Sequence, residues 1–135
     1  YGRALDCLTG DCPWPETQIG REIGYAMDFY PDLEPRVFLS YERDSWYAPE
    51  SGLRITFDDA IRFRTADLTL DSDLWGTALL RPDQVLMELK APGAIPLWMV
   101  RLLTEMGLYK TSFSKYGTAY QILLEQEYKG GKRQA

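Results

Sequence analysis

Glu88 and Lys115 are the side chains of this chain whose types and surroundings lend themselves most readily to chemistry. Glu88 lies in the alternating run Val85-Leu86-Met87-Glu88-Leu89-Lys90, and Lys115 in Ser112-Phe113-Ser114-Lys115-Tyr116-Gly117-Thr118-Ala119-Tyr120. Between them, Ile95-Pro96-Leu97-Trp98 opens a helical excursion. Upstream, Tyr41-Glu42-Arg43 and Leu53-Arg54-Ile55-Thr56-Phe57-Asp58 carry charges at strand spacing, followed by Arg62 and Arg64. A guanidinium is a planar fork of donors that matches phosphate oxygens, so several at strand spacing can follow successive phosphates along a chain. A lone carboxylate among such cations repels phosphate, and its chemical use there is to hold a divalent metal that bridges to phosphate oxygens. The residue types therefore point to polyphosphate or nucleotide chemistry. Arg43, Arg54, Arg62, Arg64 and Lys115 are the phosphate-binding candidates, and Glu88 is the metal ligand.

Each of these features also has an ordinary structural reading. Arginines on the outer face of a half-exposed sheet are usually solvated surface, Tyr41 beside Arg43 is readable as an edge pair, and Glu88 with Lys90 as an exposed ion pair worth little. Ser112 and Ser114 serve as helix caps. The sharper reading requires a concave face. If the strands curve into a barrel, the guanidiniums point into an enclosed lumen, where charge needs a balancing anion. Lys115 raises a related point, because a lysine in the first turn of a helix opposes the helix dipole unless an anion sits there.

The elements that must position these groups can be read from periodicity. From Glu16 to Tyr30, Ile19, Ile23, Ala26, Met27 and Tyr30 recur at helical spacing, with Pro31 as the stop. Arg36 to Tyr47 and Leu53 to Arg64 alternate around Pro49-Glu50-Ser51-Gly52, which predicts an antiparallel hairpin. On its first strand Val37, Leu39, Tyr41, Arg43 and Ser45 share a face. On its second strand Leu53, Ile55, Phe57, Ile61 and Phe63 form the apolar face, with Arg54, Thr56, Asp58, Arg62 and Arg64 on the charged one. A third strand is expected over about Gln84 to Lys90. Thr65 to Leu74 reads as an acidic loop in which Leu68 and Leu70 suit a short strand. Pro96 suits a first helical position, with Trp98, Leu102 and Met106 following at four-residue spacing up to Gly107. A last helix spans about Ser114 to Tyr128, with Tyr116, Tyr120, Leu123 and Leu124 facing inward. Residues 1–15 read as irregular and 129–135 as a loose tail. The fold class is α+β, with about three helices flanking an antiparallel sheet.

Composition narrows the possibilities. The 135 residues suffice for one domain or part of one, and 45% are hydrophobic, enough to fill a core. With 20 acids against 15 bases the chain carries a net charge of −5, which argues against generic nucleic-acid binding. No histidine is present, which removes the usual general base and the Ser-His-Asp arrangement. Cys7 and Cys12 have no companion ligand for zinc and are expected as two reduced cysteines in a cytoplasmic loop, with a loop disulfide as the alternative. No run of about 18 apolar residues is available to span a bilayer. The chain begins with Tyr rather than Met, so its start is expected upstream.

The ordered pieces Tyr41-Glu42-Arg43, Leu53-Arg54-Ile55-Thr56-Phe57-Asp58, Val85-Leu86-Met87-Glu88-Leu89-Lys90, Gly93-Ala94-Ile95-Pro96-Leu97-Trp98 and Ser112-Phe113-Ser114-Lys115-Tyr116-Gly117 resemble the C-terminal half of the VTC domain. This is the polyphosphate polymerase domain of the vacuolar transporter chaperone family, within the CYTH-like triphosphate tunnel metalloenzymes. The resemblance implies a β-tunnel with a basic lumen, of which this chain is one part. It implies phosphate-contacting, catalytic roles for Arg43, Arg54 and Lys115, and a metal-binding role for Glu88 toward manganese or magnesium. The implied reaction moves the terminal phosphate of ATP onto a polyphosphate chain. The alternatives are a polyanion-binding module without turnover and a tunnel triphosphatase. The implied partners are ATP, polyphosphate, and either the N-terminal half of the tunnel or a second copy of the chain. The full-length domain is expected to be the enzyme, with this part alone inactive.

Overall fold

The structure, a computed structural model, describes residues 2–131. Their contacts separate into two units, divided between Arg36 and Val37.

The first unit holds α1 (Gly2–Leu8) and α2 (Gln18–Phe29). The helix α1 corrects the expectation of an irregular start. Gly2 and Gly10 flank the helix-compatible stretch Arg3-Ala4-Leu5-Asp6-Cys7-Leu8 instead of interrupting it, and Gly10 ends it in the left-handed region at φ +85°. The N-cap of α2 is Thr17, so the helix starts at Gln18, two residues later than the expected Glu16, and the Thr17 Oγ1 accepts from the N–H of Gly20 at 3.1 Å. Cys7 and Cys12 are both free thiols.

The second unit is built on the expected hairpin, β1 (Phe38–Ala48) and β2 (Leu53–Arg64). β2 is central. On its other side it pairs with the two-residue β3 (Thr77–Ala78) at one end and with β4 (Leu86–Lys90) at the other, both antiparallel. The result is a four-stranded open antiparallel sheet; closure into a barrel is not seen among the described residues. With α3 (Leu97–Glu105) and α4 (Lys115–Gly131) the described residues hold four helices where about three were expected. Part of the expected loose tail is helical to Gly131, and 132–135 lie outside the described residues.

One irregularity reorganises β2. Arg43 pairs with Asp58 and Glu42 with Asp59, yet Ser40 pairs with Arg62. Ala60 and Ile61 thus oppose the single residue Tyr41, a β-bulge, and Ala60 takes φ +46° to make it. A bulge shifts the side-chain alternation by one residue. Thr56 and Asp58 therefore share a face with Ile61 and Phe63, while Arg62 and Arg64 pass to the opposite face. The expected single charged face of β2 is split in two.

Helix α4 covers the first of these faces. Lys115, Ala119 and Leu123 recur every four residues and so form one stripe. Ala119 and Leu123 pack on Val37 and Phe63, with Leu39, Tyr120 and Ile122 around them. Ala119 is fully buried, whereas Tyr116 and Leu124, both expected inward, are about 45% exposed. In α3 the buried residue is Met99; Trp98, Leu102 and Met106 are exposed. Gly107 closes that helix at φ +64°, as its position after the last periodic residue predicts.

On the opposite face, Arg64 is 3% exposed and organises the segment after β2. Its guanidinium donates to the carbonyls of Asp67, Thr69, Asp73 and Trp75 and to Ser72 Oγ, and its Cζ lies 3.5 Å from the Phe38 ring centroid. The acidic segment 65–74 is accordingly a loop wrapped on a cation, and the short strand expected near Leu68 and Leu70 forms instead at Thr77–Ala78. Gly76 follows the loop at φ +147°, where a Cβ would come within 2.5 Å of the Phe63 carbonyl oxygen.

Two variants test this account. Arg64→Met leaves four carbonyls and a hydroxyl without their shared donor and should destabilise the protein by about 2–4 kcal/mol, with faster proteolysis confined to segment 65–76. Ala60→Gly relieves the left-handed strain and should stabilise it by about 0.5–1 kcal/mol. Urea denaturation reads both; a destabilised Ala60→Gly would contradict the bulge.

Candidate functional site

The face beneath the N-terminal end of α4 gathers most of the candidate residues. Strand pairing lays them out in rows across β1, β2 and β4. Tyr47, Arg54 and Lys90 form one row, Ser45, Thr56 and Glu88 the next, and Arg43, Asp58 and Leu86 the third. Lys115 reaches the third row from α4 because it continues the Ala119–Leu123 stripe one turn toward the helix start.

Asp58 is the centre of the arrangement. Its side chain is fully buried and accepts two hydrogen bonds from Arg43, Nε to Oδ1 at 2.6 Å and Nη2 to Oδ2 at 2.7 Å. Lys115 Nζ lies 2.5 Å from the same Oδ2. Tyr41 stands beside both cations, its ring centroid 5.0 Å from Arg43 Cζ and 4.7 Å from Lys115 Nζ. The anion that makes sense of a lysine at this helix start is therefore a carboxylate of the chain itself. The hydrogen bonds from Arg43 and then from Lys115 hold the Asp58 carboxyl below the usual carboxylate range, against the effect of burial. The Asp58 hydrogen bond likewise pushes the Arg43 guanidinium up, with a smaller contribution from Glu88.

Glu88 sits one row away on the same face and pairs with Lys90 at 3.1 Å. Beside it, Thr56 Oγ1 is buried with no hydrogen-bond partner among the described residues. Arg54 lies on this face and is exposed. The structure thus brings together Arg43, Arg54, Lys115 and Glu88. It does not bring Arg62 and Arg64 to them. Arg64 is engaged in the 65–76 loop, and Arg62 donates to the Gly76 carbonyl at 3.3 Å and lines a cleft of about 340 Å³ with Glu42, Asp59 and Arg81 on the other face.

Among the described residues no three acidic or sulfur ligands gather at one point. Glu88 supplies a single carboxylate. That donor set fits a divalent ion only where phosphate oxygens and water complete its shell, an arrangement ordinary for magnesium.

Regular alternation alone places Asp58 on a broad charged face and does not single it out. A usable signal was the run Asp58-Asp59-Ala60, three poor strand formers inside an otherwise β-branched and aromatic strand.

Because its pKa is depressed on folding, Asp58 contributes stability that is fully present above its ordinary pKa, about 3.9, and lost as pH falls through the lower folded value. Asp58→Asn should cost about 2–4 kcal/mol at neutral pH, less than a wholly buried pair because Arg43 and Lys115 keep some solvent contact. Urea titrations at several pH values should show that gap constant down to about pH 4 and narrowing below it. A gap that narrowed between pH 7 and pH 5 would refute this account.

Comparison with curated proteins and with solved structures returns no match. The family model for the VTC domain, by contrast, matches residues 15–124, which include the three strand rows, Lys115 and the Ala119–Leu123 anchor of α4. This chain belongs to the VTC domain family.

Proposed function

We propose that this face binds an extended polyphosphate chain, and that in the full-length protein it elongates that chain from ATP. Membership of the VTC domain family suggests a polyphosphate-related role. One observation supports an extended ligand over a single phosphate. Cations stand at both ends of the face, Arg43 with Lys115 in one row and Arg54 with Lys90 two rows away. Four residues of strand separate those rows along β2, roughly 13 Å. A run of several phosphates spans that distance and a lone phosphate does not.

In the proposed reaction a terminal oxygen of the polyphosphate attacks the γ-phosphorus of ATP. The bond from that phosphorus to the β,γ-bridging oxygen breaks, ADP departs with the electron pair, and the chain gains one phosphate. No proton need be taken from the attacking oxygen, which suits a site without histidine. Positioning and charge stabilisation carry such transfers. Arg43 and Lys115 would hold one end of the phosphate run and Arg54 the other. A manganese or magnesium ion bound through Glu88 and phosphate oxygens would supply further charge neutralisation.

A second reading, a polyanion-binding module without turnover, is favoured by the ion pair of Glu88 with Lys90, which occupies the one metal-ligand candidate. Tunnel hydrolysis of triphosphate is the remaining alternative. Full-length protein incubated with ATP and manganese separates them. Long polyphosphate supports elongation, phosphate release alone indicates hydrolysis, and binding without either product indicates the module. Glu88→Gln should abolish turnover and leave tripolyphosphate affinity within about twofold, whereas Arg54→Ala should weaken affinity about tenfold. Undiminished affinity in Arg54→Ala would return this face to ordinary solvated surface.

A further inference from the structure

We infer that Asp58 is a positioning residue for the anion site, acting through Arg43 and Lys115. This rests on the reading of the face as a polyphosphate site and adds a residue to which neither sequence nor family assigned a role.

Arg43 gives Asp58 its Nε–H and one Nη2–H. A guanidinium has five N–H donors in one plane, so Nη1 and the second Nη2–H remain. Because the group is planar, the edge bound to Asp58 fixes the direction of the free edge, which points away from the carboxylate. Lys115 gives one of its three donors to the same carboxylate and keeps two. Asp58 is fully buried, while the Arg43 and Lys115 side chains are 36% and 17% exposed. Both cations therefore have solvent contact that the carboxylate lacks, and an anion arriving from solvent meets them before it meets Asp58. One buried acid aims two cations that come from different elements, β1 and α4.

The two possible roles of Asp58 predict opposite results for the same substitution. Asp58→Asn removes one negative charge at constant size and makes the face more cationic. If the carboxylate merely offsets positive charge, the variant binds polyanion more tightly. If it orients the cations, the variant binds more weakly despite the added positive charge. The observed geometry points to the second result, with affinity reduced about tenfold.

Calorimetric titration of the full-length protein with tripolyphosphate tests this, on wild type and Asp58→Asn, below their melting temperatures. A second measurement needs only wild type. The Arg43 Nε–H proton resonance should be protected from exchange in the free protein and remain so at saturating tripolyphosphate, because the ligand takes the other edge. Weaker binding by the variant together with retained protection upholds the inference. Equal or tighter binding by Asp58→Asn, or loss of Nε–H protection on adding ligand, overturns it while leaving the polyphosphate reading standing. A wild type that binds no tripolyphosphate overturns the reading of the face itself, and the inference with it.

Discussion

Burying a carboxylate is costly unless cations and hydrogen bonds replace its water, and at Asp58 that requirement governs the local architecture. Asp58 cannot stay ionised in the middle of a sheet without Arg43 across the strand pair and Lys115 from above. Meeting the requirement ties β1, β2 and α4 at one point. The apolar contacts of Val37, Phe63, Ala119 and Leu123 tie the sheet to α4 at another. Together they pin both ends of the first nine residues of the helix, Lys115 to Leu123, against one sheet face. Two cations thereby reach solvent in a defined orientation as a by-product of satisfying an acid.

The face under α4 changes character along its length. Toward Arg54 and Lys90 it is polar, and toward Val37 and Phe63 it is apolar. The bulge at Ala60 makes that possible, since Thr56 and Asp58 precede it and Ile61 and Phe63 follow it on the same side. The stripe of α4 has the matching order, Lys115 first and then Ala119 and Leu123. Sheet and helix thus agree in register from end to end, the consistency expected of a sequence that specifies one arrangement.

Much of the element order was legible in the sequence because its signals are local. Alternation marked the hairpin and β4, helical spacing marked α2, α3 and α4, and Gly107 marked an end. The candidates Arg43, Arg54, Glu88 and Lys115 were legible too, and they do share a face. Three features were not. Parity counting fails at a bulge, so simple alternation puts Arg62 and Arg64 on the wrong side. The role of Arg64 depends on carbonyls of residues up to eleven positions away, which no periodicity encodes. The partner of Lys115 lies 57 positions upstream, at Asp58, and only the docking of α4 creates the pair.

Ala119 has a consequence of its own. It has the smallest side chain in the core cluster and no exposed surface, so there is no open space at this position for a larger one. Lys115 lies one turn beyond, a rise of about 6 Å. The helix acts as a short lever with Ala119 as its fulcrum. A thicker side chain there would raise the lever and carry the ammonium off the carboxylate, although residue 119 has no polar side-chain atom to offer any ligand. Steric volume at an inert position thus becomes a determinant of electrostatic geometry one turn away.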